Sequence, residues 1–315
     1  MPPSRRAPGV HPVPPPGPTS VDLHAHTARS DGVLAPAALA ATAAGAGVQL
    51  LAIADHDSLL AYRELTAAGA PPLPAALELL PAVEINSIAR EIPDLPDGEL
   101  HFLGIGVDPA DEAFEALLVA QRRRRRARFL AMVARLRESG TPVEAELEGL
   151  DLDAIDSLGR PTLARALVAA GHASGVHDAF ARLVGRDAPG YVPRDGIGPL
   201  EAIAAVRSAG GLPVLAHFAA APDRPGLIRA LVDAGLAGLE VYYRGFDRST
   251  VAALARLARG LGLVATGGTD FHGDGETYAQ AHAAVRVPPD VGDAVRLALG
   301  RSRATAGAAA AEGPR

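Results

Sequence analysis

Seven short apolar runs punctuate the chain: VDL at 21–23, LLAIA at 50–54, ELLPAV at 78–83, FLGIGV at 102–107, LPVLA at 212–216, GLEVYY at 238–243 and GLVATGG at 262–268. Each has the length of a strand rather than of a helix, and the flanking Gly, Pro and Asp residues fit strand ends. Between most of them lie Ala/Leu-rich stretches with helical periodicity, at 36–47, 199–209, 225–235 and 247–261. Strand and helix in alternation read as βα units around a largely parallel sheet. The fold class is therefore α/β, with the strands forming a barrel or a doubly wound sheet.

The segment 111–195 breaks that rhythm. It holds helical patterns (DEAFEALLVAQRRRRRARFLAMVARLRESG, PTLARALVAAG, VHDAFARLVG) and little that resembles a strand. This predicts a helical insertion at 111–195, packed as a cap on a domain made from 20–110 and 196–303. The Pro-rich stretch 1–19 and the Ala/Gly-rich tail 304–315 are expected to be disordered. The arginine run at 122–126 reads as a solvated helix face, or else as a patch that steers an anionic substrate.

The polar residues at the ends of the runs carry the chemistry. In "SVDLHAHTARSDG", His24 and His26 are two residues apart, so on a strand both imidazoles point to one side. Asp31 follows within the same stretch. The second run ends in "IADHDS", with Asp55, His56 and Asp57, and the third in "AVEIN", with Glu84. His217 follows the fifth run in "LAHF", and Asp270 and His272 follow the last in "GGTDFHG". In parallel α/β folds, ligands and catalytic groups gather at the carboxyl ends of strands. Five strand ends bearing imidazole or carboxylate predict a multi-metal site. His101 in "LHFLG" has the right chemistry but precedes its run, and strand order gives no reason for that.

Composition narrows the chemistry. The chain has 315 residues, 48% of them hydrophobic and 4% aromatic, with no Trp, so its core is built chiefly from Ala, Val, Leu and Ile. The absence of Cys excludes disulfides, thiolate metal sites and cysteine nucleophiles. All 30 basic residues are Arg, which excludes Schiff-base chemistry and a P-loop lysine, and which strips an Arg count of functional meaning. A formal charge of −6 argues against a general nucleic-acid binder. No apolar run is long enough to span a bilayer, and residues 1–19 lack the apolar core of a signal peptide. The expectation is a cytoplasmic protein with no membrane partner and no stable nucleic-acid partner.

Taken together, "DLHAHTARSDG", "IADHD", "AVEIN", "HFLG", "LAHF" and "GGTDFHG" resemble the PHP (polymerase and histidinol phosphatase) superfamily, over residues 20 to about 300. The resemblance implies a distorted seven-stranded (β/α)7 barrel with two to three divalent metal ions. It implies that His24, His26, Glu84 and Asp270 hold the first ion, and Asp31, His56 and His272 the second. Glu84, His101 and His217 would hold the third, with Glu84 bridging. Nitrogen and oxygen ligands without thiolate suit Mn, Zn, Fe or Mg.

The implied activity is hydrolysis of a phosphate ester by a metal-activated hydroxide, an EC 3.1 reaction. Asp57 is a candidate for proton handling. Asp22 and Asp55 could do the same or orient the ligand histidines. Within the cap, "GRPTLARALVAAG", "AFARLVG" and "YVPRDG" resemble nucleoside 3′,5′-bisphosphate phosphatases and short-RNA 5′-exonucleases. The substrate class is thus a phosphorylated small molecule or a short oligonucleotide. Arg160 and Arg194 are candidate phosphate contacts, Arg160 acting in catalysis as well as binding, with Pro161 able to take the first helical position. Thr162, a third candidate substrate contact, stands where that subfamily's GRPH pattern has His. Alternatives are a histidinol-phosphate-type phosphatase, which the cap motifs disfavour, and a non-catalytic PHP module that stabilises a partner, which the full ligand set disfavours. Tyr242 and Tyr243 could stack on a base or simply pack. His11, His172, His177 and His282 have no partner motif.

Overall fold

Each apolar run becomes a strand. In a computed structural model, which describes residues 20–311 apart from 93, 94, 96 and 97, the strands are β1 (Val21–Ala25), β2 (Leu50–Ile53), β3 (Glu78–Ile88), β4 (Glu99–Ile105), β5 (Leu212–Leu215), β6 (Gly238–Tyr243) and β7 (Val264–Gly268). They form one seven-stranded sheet in sequence order. β1 to β3 are mutually parallel, as are β5 to β7, whereas β4 is antiparallel to both of its neighbours.

The sheet curls until β7 meets β1, making a nearly closed barrel. The seam is held by His26 N–H donating to Phe271 O (3.0 Å), Asp270 N–H donating to His24 O (2.7 Å) and a bridge between Ala25 and Phe271. A Cβ on Gly268 would stand 2.5 Å from His24 N, so the seam closes only because residue 268 has no side chain. Asp22 completes it from beneath. Its buried carboxylate accepts from Thr269 N–H (2.9 Å), Thr269 Oγ1 (2.8 Å) and Tyr278 Oη (2.6 Å).

Helices α1 (Pro36–Gly45), α2 (Leu60–Thr66), α7 (Pro199–Ser208), α8 (Pro225–Asp233), α9 (Arg248–Leu261), α10 (Tyr278–Ala284) and α11 (Asp290–Ala311) belong to the barrel half of the chain. The backbone of α11 continues past residue 304, where the composition had predicted a disordered tail. Ala is the strongest helix former, and the Ala-rich run prolongs the helix instead of ending it. The expectations for 1–19 and for 312–315 fall outside the described residues.

Residues 112–184 contain helices alone among the regular elements: α3 (Glu112–Glu138), α4 (Glu144–Glu148), α5 (Arg160–Ala169), α6 (Val176–Ala179) and a π-helical turn at Phe180–Val184. They have their own apolar cluster, which includes Phe129, Met132, Leu136, Leu163, Leu167 and Val184. Helix α3 joins the two bodies. Asp111 caps its start by accepting from Phe114 N–H at 2.8 Å. Its buried face then runs Phe114 and Leu118 into the barrel core, Gln121, Arg125 and Arg128 in the middle, and Phe129, Met132 and Leu136 into the cap core. At about 1.5 Å per residue a helix of this length reaches about 40 Å, enough to span barrel and cap in one piece. The polar middle corrects the reading of the arginine run. Arg125 is buried, because it falls in helical register with Leu118 and Met132, while Arg123, Arg124 and Arg126 are the exposed members.

Candidate metal centre

Every residue predicted as a metal ligand reaches one site. His24 projects from β1 and His26 from just past its end; His56 follows β2, Glu84 stands within β3 rather than at its end, His217 follows β5, and Asp270 and His272 follow β7. His101 joins them because β4 is reversed. The start of an antiparallel strand lies at the same end of the barrel as the finish of its neighbours, so the ligand precedes the apolar run. Asp31 arrives on the tight loop that follows β1. Gly32 lets that loop fold back, since a Cβ there would lie 2.5 Å from His26 O.

Glu84 is at the centre, 1% exposed. Its Oε1 lies 2.9 Å from His101 Nδ1 and 3.0 Å from His217 Nε2. Its Oε2 lies 2.9 Å from His56 Nδ1, 3.3 Å from His26 Nε2 and 3.5 Å from His24 Nε2. One carboxylate therefore faces two groups of imidazoles, one with each oxygen. Asp270 Oδ1 is 3.4 Å from His24 Nε2 and 3.2 Å from His26 Nε2. Asp31 bridges His272 Nε2 (3.3 Å) and His56 Nε2 (3.4 Å).

The electrostatics of the cluster favour added positive charge. Burial works against charge on His26, yet Asp270, Glu84 and Asp31 outweigh it and the ring is pushed up to about 10. His101 is likewise pushed up to about 9, chiefly by Glu84 against its burial. Burial would raise the Glu84 carboxyl, but His56, His101 and His24 hold it well below the usual carboxylate range. The Nε2 atoms of His24 and His26 face each other at 3.1 Å, a spacing that needs a proton or a cation between them. His26 Nδ1 is buried with no hydrogen-bond partner among the described residues. Four overlapping groups of these residues place one donor atom each within 4.8 Å of one another: His26, Asp31, His56 and His272; His24, His26 and Glu84; His24, His217 and Asp270; and Glu84, His101 and His217. The donor set fits a cluster of divalent ions.

Backbone strain collects here too. Asp57, His217 and Asp270 have φ of 51°, 31° and 47°, and Asp187 is the other described non-glycine residue with positive φ. Such conformations cost of order 1–3 kcal/mol each and persist where surrounding contacts enforce them.

The supporting residues differ from the sequence expectations in several respects. Asp57 does not face the ligand atoms; its carboxylate is bound by the Arg125 guanidinium, with both side chains buried. Asp55 accepts from Thr27 N–H (2.8 Å) and from the hydroxyls of Thr27 and Ser30, both at 2.5 Å. It shapes the loop that carries Asp31. Asp22, described above, acts in the same way at the seam. Tyr243 donates to Asp270 Oδ2 at 3.1 Å, so it orients a candidate ligand. Tyr243→Phe is expected to lower kcat roughly five- to tenfold, the equivalent of about 1–1.5 kcal/mol for one hydrogen bond, with stability little changed. An unaltered steady-state rate would remove Tyr243 from the site's machinery.

Two supporting groups escaped the sequence reading: Glu240, a carboxylate in the middle of the apolar run GLEVYY, and Arg125, detectable only by helical register. His172 bonds to Pro142 O and His282 stacks on Tyr278, both away from the ligands, while His11 lies outside the described residues.

Above the cluster is a cavity of about 230 Å³, lined by candidate ligands including Asp31, His56, Glu84 and Asp270 and by Arg125, Arg160, Arg194 and Phe180 from the cap side. Arg160 begins α5, with Pro161 second, one position on from the expected placement. Its guanidinium sits 5.5 Å from the Phe180 ring centre. Arg194 is buried, with Nε 3.0 Å from Glu99. Burial would raise the Glu99 carboxyl, but Arg194, with His101 and Arg160 behind it, holds it well below the usual range. Arg128 lies behind, pushed down to about 10 by burial and by Arg194 and Arg160. Thr162 is buried in α5 and is not among the residues lining the cavity, in contrast to the expected substrate contact.

No family model matches the chain. It is 33% identical over 263 residues to the 5′–3′ exoribonuclease Rnm of Salmonella typhimurium, covering 80% of this chain and 84% of that protein. It is 30% identical over 279 residues to the 3′,5′-nucleoside bisphosphate phosphatase of Chromobacterium violaceum, covering 86% and 93%. The chain belongs to the PHP superfamily. A PHP fold is also seen in the crystal structure of a protein described as a metal-dependent phosphoesterase from Bifidobacterium adolescentis, with a TM-score of 0.74 at 32% identity over 90% of this chain and 98% of that one. This PHP protein is accordingly a metal-dependent phosphoesterase, a hydrolase of phosphate esters. Among its described residues no helix is long and apolar enough to cross a membrane.

Proposed function

We propose that this PHP enzyme removes phosphate from substrates that carry a second anionic group close to the scissile ester, of the nucleoside 3′,5′-bisphosphate or short-RNA 5′-end type. The observation that carries the reading is the facing arrangement of Arg125, Arg160 and Arg194 with the ligand cluster across one cavity. Asp57 and Glu99 offset part of that charge, and Arg suits two-point contact with phosphate. Relatives named for a bisphosphate phosphatase and for an exoribonuclease point the same way.

The nine predicted ligands would hold two to three divalent ions. If each imidazole serves one ion and Glu84 bridges, they divide into His24, His26 and Asp270; Asp31, His56 and His272; and His101 and His217. Nitrogen and oxygen donors suit Mn, Zn, Fe or Mg. Bound ions of this kind activate water and neutralise phosphoryl oxygens. The chain's own residues supply the rest. Glu84 spaces the imidazole groups, Tyr243 fixes Asp270, and Arg160 and Arg194 bind the distal anion. The cap roofs the cavity and limits bulk water above the scissile bond.

The test compares two substrates. Arg160→Ala is expected to raise KM for adenosine 3′,5′-bisphosphate by 10- to 100-fold, roughly 1.5–3 kcal/mol for a lost charge-assisted contact. An aryl phosphate, with no second anion, should be affected much less. An equal effect on both substrates would mean that Arg160 supports the fold or the metal cluster. No effect on either would defeat the proposal, and faster phosphate release from histidinol phosphate than from the bisphosphate would redirect it to a small-molecule phosphatase.

A further inference from the structure

Glu240 is an acidic side chain, 1% exposed, in the middle of a barrel strand, and nothing in the hydrolysis scheme above uses it. Its two oxygens are both engaged. Oε1 is 3.0 Å from His24 Nδ1, and Oε2 accepts from the backbone N–H of His217 at 2.8 Å. His24 meets Glu84, Asp270 and His26 through its other nitrogen, Nε2. His217 is one of the residues with left-handed backbone, at φ 31°.

We infer that Glu240 is a positioning residue that locks two metal ligands at once, the ring of His24 and the strained backbone of His217. By accepting the Nδ1 proton, it fixes the tautomer in which His24 Nε2 carries a free lone pair toward the cluster. By accepting from His217 N–H, it holds the chain in a conformation that an L-residue rarely adopts, and so sets where the His217 Nε2 stands against Glu84. One carboxylate thereby couples β1 to the loop after β5, across β6. The inference rests on His24 and His217 being ligands.

An amide cannot replace it. If the Gln oxygen in Glu240→Gln faces His24, its NH2 faces the His217 N–H, donor against donor. If the amide is turned round, the NH2 donates to His24 Nδ1 and drives the ring proton onto Nε2, the nitrogen that must bind metal. Either way one of the two ligands is lost from its place.

The experiment is calorimetric titration of metal-stripped protein with Mn²⁺, on the wild type, Glu240→Gln and His24→Ala, with circular dichroism of each stripped protein. Glu240→Gln is expected to bind Mn²⁺ with 10- to 100-fold weaker affinity while its spectrum matches the wild type, as loss of a partner to a ligating histidine does elsewhere. His24→Ala should be weakened at least as much. Wild-type affinity in Glu240→Gln beside a weakened His24→Ala overturns the role of Glu240. Wild-type affinity in His24→Ala overturns the ligand assignment beneath it. Should Glu240→Gln fail to fold, the ¹⁵N histidine spectrum of the Zn²⁺-loaded wild type decides: a ring proton on His24 Nδ1 supports the inference, and one on Nε2 refutes it.

Discussion

Glu84→Ala is expected to abolish turnover and to lower the number of metal ions bound per chain. The carboxylate lies within 3.5 Å of five imidazoles, two through one oxygen and three through the other. Removing it takes away the group that spaces them and leaves its ring neighbours facing a void. A bridging carboxylate serves more than one ion, so the loss should spread beyond a single ligand position. A penalty of about 4 kcal/mol or more, roughly 10³-fold in kcat, follows from the misplacement. Elemental analysis of the purified variant beside phosphate release from adenosine 3′,5′-bisphosphate checks both halves. Near wild-type activity with a full metal complement would show that Glu84 is a buried core acid and no bridge.

Asp57→Ala should damage stability more than any single change at an exposed ion pair could. Asp57 is fully buried and its partner Arg125 is 4% exposed, so the substitution strands a guanidinium in the interior. Breaking a buried pair from one side typically costs about 3–5 kcal/mol, whereas surface pairs contribute about 0–1. Arg125 also donates to Asn86, and Arg122 donates to Asp57 O at 2.9 Å, so the joint between α3 and the barrel loosens together. At about 2–4 °C per kcal/mol, Tm should fall by roughly 6–20 °C. The double variant Asp57→Ala/Arg125→Met should recover most of that loss, since an apolar side chain of similar length leaves no orphaned charge. Melting curves of the three proteins settle it. If the double variant melts no higher than Asp57→Ala, the pair is not what holds the joint.

How legible these features were depends on what kind of signal each emits. The strands and the barrel helices could be read because an apolar run and a helical period are local. The clustering of the candidate ligands could be read because His and Asp near strand ends are rare types in a fixed place. His101 showed its chemistry but not its reason, since strand direction is a long-range property: only the pairing of β4 with β3 and β5 puts the start of that strand at the metal end. Glu240 was hidden by its setting, one acid among apolar neighbours, with nothing local to say what it touches. Arg125 was masked by four adjacent arginines, and only its register with Leu118 and Met132 distinguishes it. The expectation for Asp57 went astray for a related reason. Sequence proximity to His56 suggested proton handling, whereas the fold presents the side chain to a helix some 70 residues further along.

All nine candidate ligands come from outside 111–195, while Arg125, Arg160, Phe180 and Arg194 come from within it. On the proposed function, the chain keeps discrimination between substrates in one contiguous insert and its reaction chemistry in the two stretches that flank it. Drift or exchange within 111–195 can retune what the enzyme accepts without rewriting a single ligand codon. The reverse does not hold, because a change at Asp57 travels through Arg125 into the helix that both halves share.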